Sequence, residues 1–360
     1  MARTDSLTNF LTDVSTAIKT KKDDNTPIKA SNFDTEIANL PTGSGGVDIS
    51  EYIDTFTNST SAGAAISSGI WSYLVKKLPP ITKLNPNSAY FFNGFRGSEL
   101  DLSQVPRDTK FTDTRGMFQS CLVTSLDLSH LNFDNVTKAD SMFQYCNASV
   151  LNLGNNTFPN NTSFSNMLSA SKIEQLFNFD YGKATTLNQY LYNCSNLQGE
   201  INIVAPLCSN FNGICRMCSL ITKVKLSTEV MSNLNLSYMC YGCTSLKTLD
   251  LSEMDMRGVT GVASYGMVSM FYNCKELENL IFGTNCGMGF SSSISANFNY
   301  ATIDLKESSK LTKTSVLDLF DKVADITGKK TQKIILHADV KAQLTDEEIA
   351  IPVKKGWTVA

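Results

Sequence analysis

TSLDLSHLNFDNVTKADSMFQYC, Thr124–Cys146, is the stretch that decides the fold. Leu126 and Leu128 alternate with polar neighbours, the mark of a short strand with one buried face. Small and polar residues follow, as turn formers do. The stretch ends on the hexapeptide SMFQYC, Ser141–Cys146.

That hexapeptide has relatives on both sides. It reads GMFQSC at Gly116–Cys121, NMLSAS at Asn166–Ser171, QYLYNC at Gln189–Cys194 and GICRMC at Gly213–Cys218. It reads YMCYGC at Tyr238–Cys243 and SMFYNC at Ser269–Cys274. From Phe118 through Phe143, Leu168, Leu191, Cys215, Cys240 and Phe271 the gaps are 25, 25, 23, 24, 25 and 31 residues. An alternating apolar pair follows most copies: Leu151 and Leu153, Ile201 and Ile203, Val224 and Leu226, Leu249 and Leu251, Leu280 and Phe282. The fourth copy, with Leu176, Phe177 and Phe179, is irregular. A single short strand cannot bury its own face, so stacked copies are expected to share a core. The predicted fold is an α+β leucine-rich-repeat solenoid over residues 90–305, with one short parallel strand per repeat of about 25 residues. The Met-Phe-x-x-Cys segments are expected to form short helical or 3₁₀ turns behind the sheet.

The copies TSLDLSHLNFDNVTKADSMFQYC, SLKTLDLSEMDM and VSMFYNCKELENL resemble the BspA-like leucine-rich repeats of bacterial surface proteins. The resemblance implies adhesion or extracellular recognition, and supplies no catalytic residue.

Residues 1–41 read differently. Leu7, Phe10, Leu11, Val14 and Ile18 fall on one helical face, and Phe33, Ile37 and Leu40 on another. A helical hairpin is expected there, followed by a Gly/Ser linker over 42–48. Such a hairpin is too small to be stable alone and needs a partner or self-association. The segment AIKTKKDDNTPIKASNFDTEIANLPTGSGG resembles the N-terminal segment of phage tail and virion-fibre proteins. This implies that Phe10, Val14, Ile18, Phe33 and Ile37 attach the chain to virion proteins. Residues 49–89 are expected to cap the repeats with strands, and 306–360 to cap them with helices and strands. In the latter, Gly328 is expected to close a helix over Thr314–Ile326, and Trp357 to be buried against Ile335.

Bulk properties narrow the function. Net charge is −3, too small a field to gather nucleic acid. No apolar run is long enough to insert in a membrane. The start lacks a basic segment followed by an apolar one, so synthesis in a cytoplasm and residence on a virion are expected. His130 and His337 are the only histidines, and neither has a nucleophile or paired acids nearby in sequence. No enzyme and no cofactor are expected.

Two patterns invite a site. Cys215-x-x-Cys218 and Cys240-x-x-Cys243 have the spacing of a zinc site. The repeat offers a second account, a reduced column in which cysteine stands as a small buried hydrophobe; a disulfide is the third. Tyr145, Tyr192, Tyr241 and Tyr272 recur near the repeated Cys and are expected to form a column. That column either shields the convex side or offers a ligand surface. The combined expectation is a phage tail or head fibre, or receptor-binding subunit. Its repeats would bind a host surface protein or glycan, and it would form a homo-oligomer. A bacterial adhesin or, more remotely, a glycan-degrading enzyme are the alternatives.

Overall fold

The computed structural model describes residues 47–48, 81–84, 86–95, 100–230, 234–255, 269–283, 302–328 and 331–360. Residues 1–160 with 171–173 form one compact unit, and 161–170 with 174–360 form a second. The attachment segment expected over 1–41, with Phe10, Val14, Ile18, Phe33 and Ile37, and the linker's first residues lie outside the described residues.

In the first unit β1 (Val47–Asp48) pairs in parallel with β2 (Ile81–Lys83), and β3 (Ser125–Asp127) with β4 (Val150–Asn152). In the second, β5 (Gln198–Val204), β6 (Leu220–Ser227), β7 (Thr248–Asp250) and β8 (Asn279–Ile281) form one parallel sheet in chain order. β9 (Thr302–Leu305) belongs to a separate parallel sheet, ordered β11-β10-β9, with β10 (Gln332–Leu336) and β11 (Trp357–Val359). Register follows the alternation. Leu126 lies opposite Leu151, and Val224, Leu249 and Leu280 align across three strands. All five are apolar, and Leu126, Val224, Leu249 and Leu280 are buried.

The expected α+β leucine-rich-repeat solenoid is corrected by these observations. The strands gather into separate small sheets rather than one strand per repeat in a continuous sheet. The irregular copy at Leu176, Phe177 and Phe179 contributes no strand. Among the described residues helix is confined to α1 (Lys313–Lys322), α2 (Ala338–Lys341) and α3 (Asp346–Lys354). No helical hairpin is among them. The Met-Phe-x-x-Cys segments are neither helical nor 3₁₀ but chains of tight turns.

Their geometry has a simple backbone logic. Each segment holds two left-handed residues four apart: Gly116 and Ser120, Ser141 and Tyr145, Gln189 and Asn193, Gly213 and Met217, Tyr238 and Gly242, Ser269 and Asn273. Alternate N–H groups therefore point in opposite senses. Those of Gly116, Phe118 and Ser120 donate to the carbonyls of Asp140, Met142 and Gln144 in the next turn. Those of Met117, Gln119 and Cys121 donate within their own turn, to Thr114, Gly116 and Phe118. In this way the turn backbone is satisfied without a helix or a long strand. A helix would place i and i+4 on one face, whereas here the two left-handed residues mark the corners. At Gly116 the freedom of glycine is needed twice over, since φ is +55° and a Cβ would stand 2.4 Å from the Tyr90 ring.

Aromatic side chains stack at the ladder spacing. In the first unit Phe92, Phe118 and Phe143 form one buried file with centroids 5.5 and 5.7 Å apart, and Phe111, Phe133 and Phe158 a second, at 5.3 and 5.0 Å.

At the C-terminal end α1 is capped by Thr312 and stops at Val323, so Gly328, although left-handed, does not close it. The Lys355 ammonium closes α1 instead, donating to the carbonyls of Phe320, Asp321 and Val323. Thr345 and Glu348 cap α3 reciprocally. Trp357 is buried, with its indole N–H on the Ala324 carbonyl at 2.9 Å. Its neighbour across β10 is Gln332 rather than Ile335. Gln332, Ile334 and Leu336 face inward and Ile335 the other way, as period two dictates.

Candidate functional site

The turn ladder sorts the residues of each hexapeptide into files. The fourth residue after the one preceding Met-Phe, counting that residue as the first, is Gln119 and Gln144 in the first unit. In the second it is Ser169, Tyr192, Arg216, Tyr241 and Tyr272. Backbone bonds hold this register: Asn193 N–H to the Arg216 carbonyl, Met217 to Tyr241, Gly242 to Tyr272.

Three of the four expected tyrosines thus share one file, and Tyr145 does not. Tyr145 occupies the next, left-handed corner and projects alone, 52% exposed. The residue the sequence reading missed is Arg216, which fills the file between Tyr192 and Tyr241. Its guanidinium carbon lies 5.5 Å from the Tyr192 ring centroid, 4.8 Å from that of Tyr241 and 5.1 Å from that of Tyr238. Tyr241 and Tyr272 continue the stack at 4.7 Å and 19°. Tyr192, Arg216, Tyr238 and Tyr241 are half-buried, and Tyr272 is exposed. The signal was present in GICRMC, since its fourth residue is in phase with the tyrosines. A search restricted to aromatics passed over it.

The cysteine pattern resolves into a buried column. Cys215, Cys218, Cys240 and Cys243 are all fully enclosed, and no disulfide joins the nine described cysteines. Cys215, Cys240 and Cys243 bring their sulfurs within 4.8 Å of one another, with Cys215 and Cys240 at 3.6 Å. Cys218 stands outside that group. Its thiol donates to the Leu191 carbonyl at 2.9 Å. Cys215 donates to Met239, Cys243 to Cys215, Cys194 to Leu168 and Cys274 to the Cys240 carbonyl. Thiols engaged as donors to carbonyls are protonated, whereas a metal takes thiolates. Burial pushes the Cys121 and Cys274 thiols up to about 12 and Cys146 to about 11, and Cys243 is raised by the same cause. Contact with the Cys194 thiol, then burial, raises Cys218. Three sulfurs stand close enough to share one soft ion, but their surroundings stabilise the neutral thiol.

His130 Nε2 lies 2.9 Å from the Leu102 carbonyl, and His337 caps α2. Asp127 and Asp250 accept from the backbone N–H groups of Ser129 and Ser252, closing the turns after their strands.

Residues 89–203 match the model of a family described as "Mycoplasma protein of unknown function, DUF285". No curated protein and no solved structure matches the chain. The matched segment contains Tyr145 and Tyr192 and ends before Arg216, Tyr241 and Tyr272.

Proposed function

We propose that the chain is a bacteriophage virion structural protein, a tail or head fibre or receptor-binding subunit, and that it binds the host surface through the Tyr192–Arg216–Tyr241–Tyr272 file. The file itself carries the reading. It is a row of aromatic and guanidinium groups, partly open to solvent, and such rows are rich in the residue types that dominate binding energy. The phage-like segment at 17–46 supports attachment to a particle through virion proteins. The reading assigns recognition and no catalysis. The family match, described as Mycoplasma, favours a second reading: a bacterial surface adhesin using the same file.

Cosedimentation of the full chain with host cells tests the binding role. Wild type pellets with cells, and Tyr241→Ala with Tyr272→Ala does so at least ten-fold less. Equal pelleting of the variant, or none of the wild type, rejects the reading. Virion proteomics separates the two origins: the chain belongs to purified particles if the first reading holds.

A further inference from the structure

We infer that Arg216, framed by Tyr192, Tyr238 and Tyr241, is the docking point for a carboxylate of an acidic saccharide. This rests on the proposal that the tyrosine file is a binding face.

Arg216 differs from Arg115, Lys223 and Lys225, each of which has an acidic partner. Arg115 is held by Asp113 through contacts of 2.8–3.2 Å, Lys223 pairs with Glu200, and Lys225 with Glu253. Among the described residues no carboxylate or carbonyl engages the Arg216 guanidinium, and its Nε is buried with no acceptor. The three rings meet the cation from their faces. Ring faces attract positive charge but leave the in-plane N–H donors of a guanidinium without lone pairs to receive them. The complement to a planar fork of donors is a planar pair of oxygens, which a carboxylate supplies.

The surroundings choose the carrier of that carboxylate. An acidic peptide needs partners for its own N–H and C=O groups. At this register the turn backbones are already spent on one another, through Asn193 to Arg216, Met217 to Tyr241 and Gly242 to Tyr272. What remains for a ligand is side-chain surface: ring edges, phenolic hydroxyls and the exposed Tyr272. A saccharide needs no more than that, since its hydroxyls pair with phenols and its C–H faces lie on aromatic carbon.

Titration calorimetry of the full chain with oligogalacturonate, oligosialic acid, a neutral maltooligosaccharide and polyglutamate tests the assignment. At least one acidic saccharide is expected to bind, more weakly as salt is raised. Arg216→Gln lowers that affinity by roughly ten- to a hundred-fold, with Arg216→Lys between the two. The neutral oligomer and polyglutamate are expected not to bind. Absence of binding by both acidic saccharides overturns the inference, as does unchanged affinity in Arg216→Gln or equal affinity for polyglutamate. Unfolding midpoints identify any variant that fails to fold, and the Arg216→Lys affinity then decides in its place. Cell cosedimentation separates this from the broader proposal. Host binding that Arg216→Gln leaves intact removes the saccharide assignment only. Arg216-dependent saccharide binding without host binding removes the host-binding proposal and leaves the assignment standing.

Discussion

Gln119 and Gln144 in the first unit, and Arg216 and Tyr241 in the second, hold the same position in the turn and meet the same demand in different ways. Each must face its own counterpart one ladder step away. The amides do so by hydrogen bonding: Asn93 Nδ2 donates to Gln119 Oε1 at 3.2 Å, and Gln119 Nε2 donates to Gln144 Oε1 at 2.7 Å. An amide carries both a donor and an acceptor, so each can pass its need to the next. The aromatic and guanidinium groups of the second unit stack instead. Stacking satisfies faces and supplies no acceptor to the in-plane donors, as at the buried Arg216 Nε. A row held by side-chain hydrogen bonds and a row held by stacking thus arise at one register position, through a change of side chain alone.

The buried file beneath shows a second contrast. The first unit fills it with Phe92, Phe118 and Phe143, the second with Cys215, Cys240 and Phe271 among others. Cys121 and Cys146 are the described thiols of the first unit, while the second holds Cys194, Cys208, Cys215, Cys218, Cys240, Cys243 and Cys274. The largest predicted effect follows from this imbalance. Folding raises these thiols above their ordinary value of 9.0, to about 12 for Cys208 and Cys274. The unfolded chain releases their protons first. Their stabilisation is therefore fully present below about pH 9 and is lost as the pH rises towards 12, at about 4 kcal/mol per such thiol by the upper limit. Limited proteolysis along an alkaline titration should cut the second unit before the first. Simultaneous cutting would show that the thiols are not what couples this fold to pH.

A direct substitution sharpens the same contrast with a smaller effect. Phe118 is fully buried between Phe92 and Phe143, so Phe118→Ala should cost about 3–5 kcal/mol in denaturant unfolding. Cys215→Ala removes one sulfur and its bond to the Met239 carbonyl, and should cost about 1–2 kcal/mol. Equal costs would mean that the file is not read by volume.

The sequence made the period, the inward leucines and the buried cysteines legible, because burial imposes alternation and stacking imposes phase. It did not make the turns legible. Gln189 adopts left-handed backbone that such a residue seldom takes, and its bond to the Asn212 carbonyl of the neighbouring turn offsets that strain. Local propensity contains no trace of a partner about 25 residues away. The interruption at Leu176–Phe179 was visible as irregularity, but its consequence, a broken sheet, depends on pairing that no single copy encodes. The site was half legible for a related reason. Residue type groups Tyr145 with the other tyrosines although its register differs, and leaves out Arg216, whose register matches. Spacing alone separates them, since Tyr145 stands one residue before its Cys and Arg216 two.

The smallest predicted effect bears most directly on the opening comparison. If both rows are alternative answers to one demand, the answer of the first unit should work in the second. Arg216→Gln combined with Tyr241→Gln places two amides at adjacent ladder steps, in the relation that Gln119 and Gln144 hold. Contacts of Arg216 with the three half-buried rings are worth about 0.5–1 kcal/mol each. An amide pair returns about 0.5–1.5 kcal/mol. The double variant should therefore cost about 1–2.5 kcal/mol less than the two single variants summed, because the Arg216–Tyr241 contact is lost in both singles but only once in the double, and the amide pair is gained only there. A double-mutant cycle on unfolding midpoints measures that coupling. Coupling larger than the Arg216–Tyr241 contact alone supplies, about 0.5–1 kcal/mol, would show that an amide pair can replace the stack at this register. Additive losses would mean that the second unit depends on this stack for cohesion, and the contrast between a hydrogen-bonded and a stacked row would no longer hold.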